Sequence, residues 1–281
     1  MIPSHKKRIC RRVIPCFSWS LRLVQTLTSP AGVRHHSVAT HLIASRVANR
    51  LAFEMLDSLV QDARKKTASF LAAGQYASAA QALRHAVTLG HLPSRADLAW
   101  LLLHGREGVH ADENTAFQMA VEGAHLGCCD CQGVLSWCYF YGSGSIGDLG
   151  ACEQDMQKCL ELSLKSSQGG SKYGLLALGN LYTGNNGELP EIPEDYERAA
   201  NLIARAAAQN LDVALFRMGV MQQTGLGAKQ DVVEARRMFR KAADQGFKQA
   251  MYAAEKRGGG GNVAECLVLL SPFDHCSLSP F

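Results

Sequence analysis

At 281 residues, 47% hydrophobic and only 7% aromatic, the chain is long enough to bury a continuous core but poor in the rings that fill a large globular interior. It has no run of about eighteen apolar residues, so no transmembrane helix is expected. The net charge of +4 does not describe a uniformly basic protein: residues 1–53 hold nine Lys or Arg and no Asp or Glu, and the rest carries 20 basic against 25 acidic residues.

The N-terminal segment comes first. An acid-free leader containing arginine and serine reads as a mitochondrial transit peptide. The stretch "RHHS" at 34–37 places Arg34 three positions before Ser37, in the manner of a processing site, so residues 1–37 are the expected leader and the mitochondrial matrix the expected destination. A secretory signal would need an apolar core, and the best stretch, "VIPCFSWSL" at 13–21, is short, interrupted by proline and followed by Arg22. Residues 38–53 are expected to form a basic segment of low order. Residues 54–72 are expected to form a helix capping the region C-terminal to it, with Arg64, Lys65 and Lys66 facing water.

From residue 75 onward one outline is written repeatedly. Asp231 leads through Ala235, Ala242 and Ala243 to Gly246, and Asp195 leads through Ala199, Ala206 and Ala207 to Asn210. Asp155 leads through Cys159, Ser166 and Ser167 to Gly170, and Asp112 leads through Ala116, Gly123 and Ala124 to Gly127. A weaker copy runs from Gln75 through Ala79, Ala86 and Val87 to Gly90. The copies close at 90, 127, 170, 210 and 246, steps of 37, 43, 40 and 36 residues, and such a period marks a stacked-repeat protein. The aspartate suits an N-cap, accepting from free backbone N–H groups at the positive helix end. The small residues share one helical face and let a neighbour approach closely. The terminal Gly or Asn suits a left-handed C-cap. Past each closure comes a small residue (Cys131, Gly174, Ala214, Ala250), then Leu135-Ser136, Leu178-Gly179 or Met218-Gly219, then a glycine loop such as 142–144 or 225–227. Each period therefore predicts an αα-hairpin.

"ALFRMGVMQQTGLGAKQDVVEARRMFRKAADQG" at 214–246, with "GLLALGNLY" at 174–182 and "DYERAANLIARAAAQN" at 195–210, resembles the Sel-one-like repeats, relatives of the tetratricopeptide repeat. Segments 94–127 and 131–170 resemble the pattern less closely: Trp100 stands where the family prefers glycine, and 145–152 look like an insertion. The resemblance covers about residues 75 to 257. It implies an all-α, right-handed α-solenoid of helix-turn-helix repeats over residues 54–257, with a concave face lined by first helices and a role in holding other proteins together rather than in catalysis. Cysteine-rich members staple each hairpin with disulfides; here those columns hold Val87, Ala124, Ser167, Ala207 and Ala243, so that pattern is absent.

The candidate contact residues project from first helices outside the structural columns: Trp137, Phe140, Tyr141, Arg217, Gln222 and Gln223, types favoured at interface hot spots when exposed. Trp137 or Phe140 fit an inter-repeat core equally well. Residues 193–257 hold eleven basic and eight acidic residues, whereas 91–192 hold five and twelve. Arg236, Arg237, Arg240 and Lys241 form a basic cluster that could grip RNA phosphate or an acidic partner, or simply be a solvated helix face. No RNA-binding signature accompanies it.

Of ten cysteines, six lie between 128 and 159, and His125, Cys128, Cys131 and Cys138 have spacings zinc would accept. Yet Cys131, Cys138 and Cys159 occupy columns that other copies fill with small or apolar residues, which argues for packing. A Cys138–Cys159 bridge is geometrically conceivable, though a reducing compartment disfavours it. "GSGSIG" at 142–147 and "GGGG" at 258–261 follow no strand and are not phosphate loops, and no nucleophile has a recognisable elbow. No enzyme activity and no cofactor are expected. The tail 258–281 offers one short apolar run, Cys266 to Leu270, and is expected to cap the array, to dock elsewhere or to lack order. The expected partners are proteins of a mitochondrial multiprotein complex, in respiratory-chain biogenesis or gene expression. The alternatives are association with RNA through the basic cluster, and a redox or metal-binding role for the cysteines.

Overall fold

The computed structural model describes residues 38–142, 152–184, 189 and 192–255. Among these the secondary structure is helical apart from one isolated bridge between Arg106 and Val109. The helices are α1 (Val38–Ala72), α2 (Tyr76–Thr88), α3 (Leu92–His104), α4 (Glu113–His125), α5 (Cys129–Tyr141) and α6 (Met156–Gln168). They continue as α7 (Lys172–Leu181), α8 (Tyr196–Ala208), α9 (Asp212–Thr224), α10 (Val232–Asp244) and α11 (Lys248–Glu255). Each packs on the next, and α5 also packs on α3 and on α7, giving an inner layer of first helices. This is an α-solenoid. The tail 258–281 and most of the segment 145–152 lie outside the described residues.

The repeated columns do what their chemistry predicts. Asp112, Asp155 and Asp195 accept from the backbone N–H three residues on, at 2.9, 2.9 and 2.8 Å. Asp231 accepts from both Val233 and Glu234 at 3.0 and 2.9 Å. Gln75 caps nothing with its side chain, which is why the first copy is the weakest. Gly90, Gly127, Gly170 and Gly246 all adopt positive φ, and Asn210 joins them at 60°, the only non-glycine among the described residues to do so. That conformation turns the chain so that the next residue's N–H returns to the preceding helix, as Cys128 does to Gly123 at 3.0 Å.

The helix seams are built from paired columns in which one residue gives way to the other. A Cβ on Gly123 would stand 2.7 Å from the Cβ of Cys131 and nearer still to its sulfur. A Cβ on Gly174 would collide with Ser166, while the next two seams place Ala206 with Ala214 and Ala242 with Ala250 in these columns, all fully buried. Within hairpins, Gly179 makes room for Ile203 and Gly219 for Phe239, each 2.7 Å from the added carbon. In the copies closing at 127 and 170 the same columns hold Ala99 with Ala120 and Ser136 with Ser163. The glycine column of the copy closing at 127 is thus Ala99; Trp100 stands one position further and faces inward.

One expectation needs correction. Residues 38–53 are not a separate segment of low order: α1 runs unbroken from Val38 to Ala72, because neither Gly nor Pro interrupts this stretch and alanines and leucines recur through it. The array is not open. Arg106, in the turn after α3, pairs with Asp212 at the start of α9 and lies 5.8 Å from the ring centroid of Phe247. Tyr76 touches the backbone at Gly246, where an added carbon would lie 2.6 Å from its hydroxyl. The coil comes round until the copy closing at 246 meets those closing at 90 and 127.

The seam makes a direct prediction. Gly123→Ala should destabilise the protein by about 1–3 kcal/mol through overpacking against Cys131. Pairing it with Cys131→Ala should recover part of that loss in chemical denaturation, since Ala against Ala is already used at 206 and 214. Additive losses would show that the two positions do not share a seam.

Candidate partner-binding surface

Residues one helical turn apart along α3, α5, α7 and α9 line the concave side, and there the coil is filled by its own side chains. Trp100 packs edge-on to Trp137 at 5.1 Å between ring centroids, and against Tyr173 at 4.9 Å and His104 at 4.3 Å. Tyr141 packs on Trp137 at 4.7 Å, and the guanidinium of Arg217 lies 6.0 Å from the centroid of Trp137. Arg217 Nη2 donates to the Tyr141 hydroxyl at 2.8 Å, from a residue 76 positions away. Asn180 is fully buried in the column of Trp100 and Trp137, and neither of its amide atoms has a hydrogen-bond partner among the described residues.

Two paired carboxylates hold rings of this interior. Asp212 accepts from Trp100 Nε1 at 3.2 Å and from the Val213 N–H at 2.8 Å, besides its pair with Arg106. Burial works against its ionisation, but Arg106, with help from His104, holds the Asp212 carboxyl below its ordinary range. Asp97 takes Lys172 Nζ at 3.0 Å and the Tyr173 hydroxyl at 2.7 Å. Burial opposes the Asp97 charge as well, and those two partners outweigh it and keep its carboxyl low.

The expectation that Trp137, Phe140 and Arg217 are exposed contacts is therefore corrected: their relative exposures are 3%, 1% and 4%. Trp137 and Arg217 are covered by contacts across the concave side, and Phe140 packs on Trp137 and Tyr141 of its own helix. Tyr141, Gln222 and Gln223 are half-buried. The Gln222 carbonyl holds the Asp231 N–H at 2.8 Å, and the Gln223 carbonyl accepts from Gln230 Nε2 at 3.0 Å, so both residues also serve the turn. Arg236, Arg237, Arg240 and Lys241 are all exposed on the outer side of α10, with Arg237 3.3 Å from Glu234.

The cysteine cluster separates into unlike environments. His125 is exposed, whereas Cys128, Cys131, Cys138 and Cys159 are buried free thiols. No group of three or more His, Cys, Asp or Glu among the described residues is placed to hold a metal ion. Burial pushes the Cys138 and Cys159 thiols up. Cys128, at the N-cap of α5, is drawn down to about 7 by the hydrogen bond Cys131 offers it, and Cys131 is raised in turn. Cys131 also reaches the Leu92 carbonyl at 3.6 Å.

Sequence reasoning missed the Asp97–Lys172–Tyr173 and Trp100–Asp212–Arg106 groups. One signal pointed at the interior: Trp100 and Trp137 occupy the same column of successive copies, 37 residues apart.

The fold defines a repeat protein of the α-solenoid class. The model of the Sel1 repeat matches residues 93–128, 130–171, 173–211 and 212–247, and the chain belongs to the Sel1 repeat family, whose repeats mediate protein–protein interaction and whose members are generally non-catalytic. Similar solved structures include a protective antigen of uropathogenic Escherichia coli with an SLR fold (25% identity, 69% of this chain and 40% of that one, TM-score 0.41). A Sel1 repeat protein of Oxalobacter formigenes is 25% identical over 49% of this chain and 96% of that one, with TM-score 0.38. A Sel1 repeat protein of Klebsiella pneumoniae is 19% identical over 72% of this chain and 98% of that one, with TM-score 0.42. The chain thus spans less than half of the Escherichia coli antigen's length. A search of curated proteins finds no match.

Replacing Asp212 tests the closure. Asp212→Asn leaves Arg106 buried without its counter-charge and should cost about 3–5 kcal/mol. An acid held low in the fold stabilises above the unfolded carboxylate value near pH 4 and loses that contribution as pH falls below it. Urea midpoints measured from about pH 6 down to pH 3 should accordingly fall more steeply for the natural chain than for the variant.

Proposed function

We propose that this protein is a non-catalytic scaffold for a multiprotein assembly in the mitochondrial matrix, in respiratory-chain biogenesis or the organelle's gene expression. The observation that carries the location is the acid-free leader, with nine basic residues before Glu54 and Arg34 set three positions before Ser37. Support for the scaffold role comes from the family and from the outer surface: with the concave side filled, a partner is met on the convex helices and the ends of the coil. Among the described residues no helix is long and apolar enough to cross a membrane.

A second reading, association with RNA, draws on the four exposed cations of α10. The two readings part on salt and on mutation. Phosphate binding falls steeply as salt rises and depends on Arg236, Arg237 and Arg240 together. Protein scaffolding of an assembly survives a salt wash.

Affinity purification of the C-terminally tagged protein from salt-washed mitochondria, followed by mass spectrometry, tests the proposal. A stoichiometric set of respiratory-assembly or ribosomal proteins is expected, retained when Arg236, Arg237 and Arg240 are all changed to Ala. Absence from mitochondria would refute the location, and a protein recovered alone would refute the scaffold.

A further inference from the structure

The first turn of α5 brings together two thiols that the repeat pattern does not ask for. Cys128 is the N-cap of that helix and Cys131 stands three residues on, so both lie on one side of it. A spacing of three in a helical turn sets their Cα atoms about 5 Å apart, inside the roughly 4.4–6.8 Å that a disulfide spans. Cys131 is fully buried in the slot that Gly123 leaves, while Cys128 keeps 8% exposure directly after the exposed turn of Leu126 and Gly127. One thiol therefore stands at the edge of solvent and the other just beneath it. Cys129 turns elsewhere, its sulfur 4.0 Å from the Gly169 carbonyl. The S–H of Cys131 has two acceptors within reach: the Leu92 carbonyl at 3.6 Å, and the Cys128 sulfur, which that hydrogen bond draws down to about 7. Other copies fill the column of Cys128 with Ser171, Leu211 and Phe247, and that of Cys131 with Gly174, Ala214 and Ala250, so packing requires sulfur at neither place.

We propose that Cys128 and Cys131 are a redox-active dithiol, Cys128 the entry thiol and Cys131 the resolving one, that closes reversibly to a disulfide against a small disulfide of the glutathione class. The Cys128 thiolate attacks one sulfur of glutathione disulfide and forms a mixed disulfide. The other glutathione leaves as a thiolate and takes up the proton that Cys128 gave. Cys131 then attacks the Cys128 sulfur, forming the Cys128–Cys131 bond and expelling the second glutathione, which takes the Cys131 proton. Both protein thiols are oxidised, and glutathione disulfide is reduced to two molecules of glutathione. In the resting pair the hydrogen bond to Cys128, burial and the charge of Cys128 all hold the Cys131 thiol up. Once glutathione caps Cys128, its charge and its hold on the Cys131 proton are gone, and the positive charge of Arg95 favours the thiolate that the second step needs. Excess reduced glutathione runs the sequence backwards and restores the free thiols in which both cysteines stand. Closure also has a structural effect. A disulfide has no S–H, so the bond from Cys131 to the Leu92 carbonyl is lost, and with it a tie between the first turns of α3 and α5.

Thiol mapping by mass spectrometry reads this out on the full chain, equilibrated in glutathione buffers from fully reduced to mostly oxidised, with free thiols blocked before digestion. The natural chain should lose a pair of hydrogens from the peptide carrying residues 128–131 as the buffer becomes oxidising, and regain them in excess glutathione. Cys129→Ser should behave in the same way. Cys128→Ser should lose the internal disulfide, and Cys131→Ala should stop after the first step with one glutathione held on Cys128. Both variants should keep their helical circular dichroism, since other copies place serine and alanine in these columns. A natural chain that keeps every thiol of 128–131 in oxidising buffer would overturn the proposal. So would a disulfide that survives Cys128→Ser or vanishes with Cys129→Ser, since a different pair would then be the one that closes. Cys131→Ala without bound glutathione would overturn the role of Cys128 as the entry thiol.

Discussion

Close approach between helices, permitted by small residues at fixed columns, governs this molecule. Where one side of a seam carries Cys131 or Ser166, the other is Gly123 or Gly174, and where neither is glycine both are small, as Ala206 with Ala214 or Ala86 with Ser94. A shared volume this tight leaves no freedom in how each hairpin sits on the next. Small rotations then accumulate with a consistent sign until Arg106 reaches Asp212 and Tyr76 reaches Gly246. The usual description of a repeat protein, in which each unit feels only its neighbours, does not hold here.

The closed coil changes where function can lie. Where the resemblance implied a concave face lined by first helices, this chain has an interior occupied by Trp100, Trp137, Tyr173 and Arg217. These side chains are of the kind that dominate interfaces between proteins, and here they join one part of the chain to another. What stays open to partners is the outer side of the second helices and the two ends of the coil.

Most of the local architecture is legible in the sequence, because its causes are local. An aspartate followed by small residues at one-turn spacing and a terminal glycine states its own cap, seam and turn, and Asn210 reads as a glycine substitute for the same reason. The contact surface is not legible. Whether Trp137 meets solvent or another ring depends on how far several hairpins have turned, and no single copy contains that quantity. The pairing of Arg106 with Asp212 joins positions 106 residues apart in chain order. The early part of α1 departs from expectation for a different reason: its positive charge suggests disorder, while its freedom from Gly and Pro is the stronger local determinant and favours helix.

The meeting of the last copy with the first two also bears on how such a chain can evolve. Repeat families lengthen and shorten by copying or dropping a unit, and an open array absorbs the change at its end. Here an added or deleted hairpin would move Asp212 away from Arg106 and Phe247 away from its cation, stranding charge and aromatic surface together. The number of copies is therefore no longer free to drift. Ring closure has turned a modular array into a unit that duplicates only as a whole.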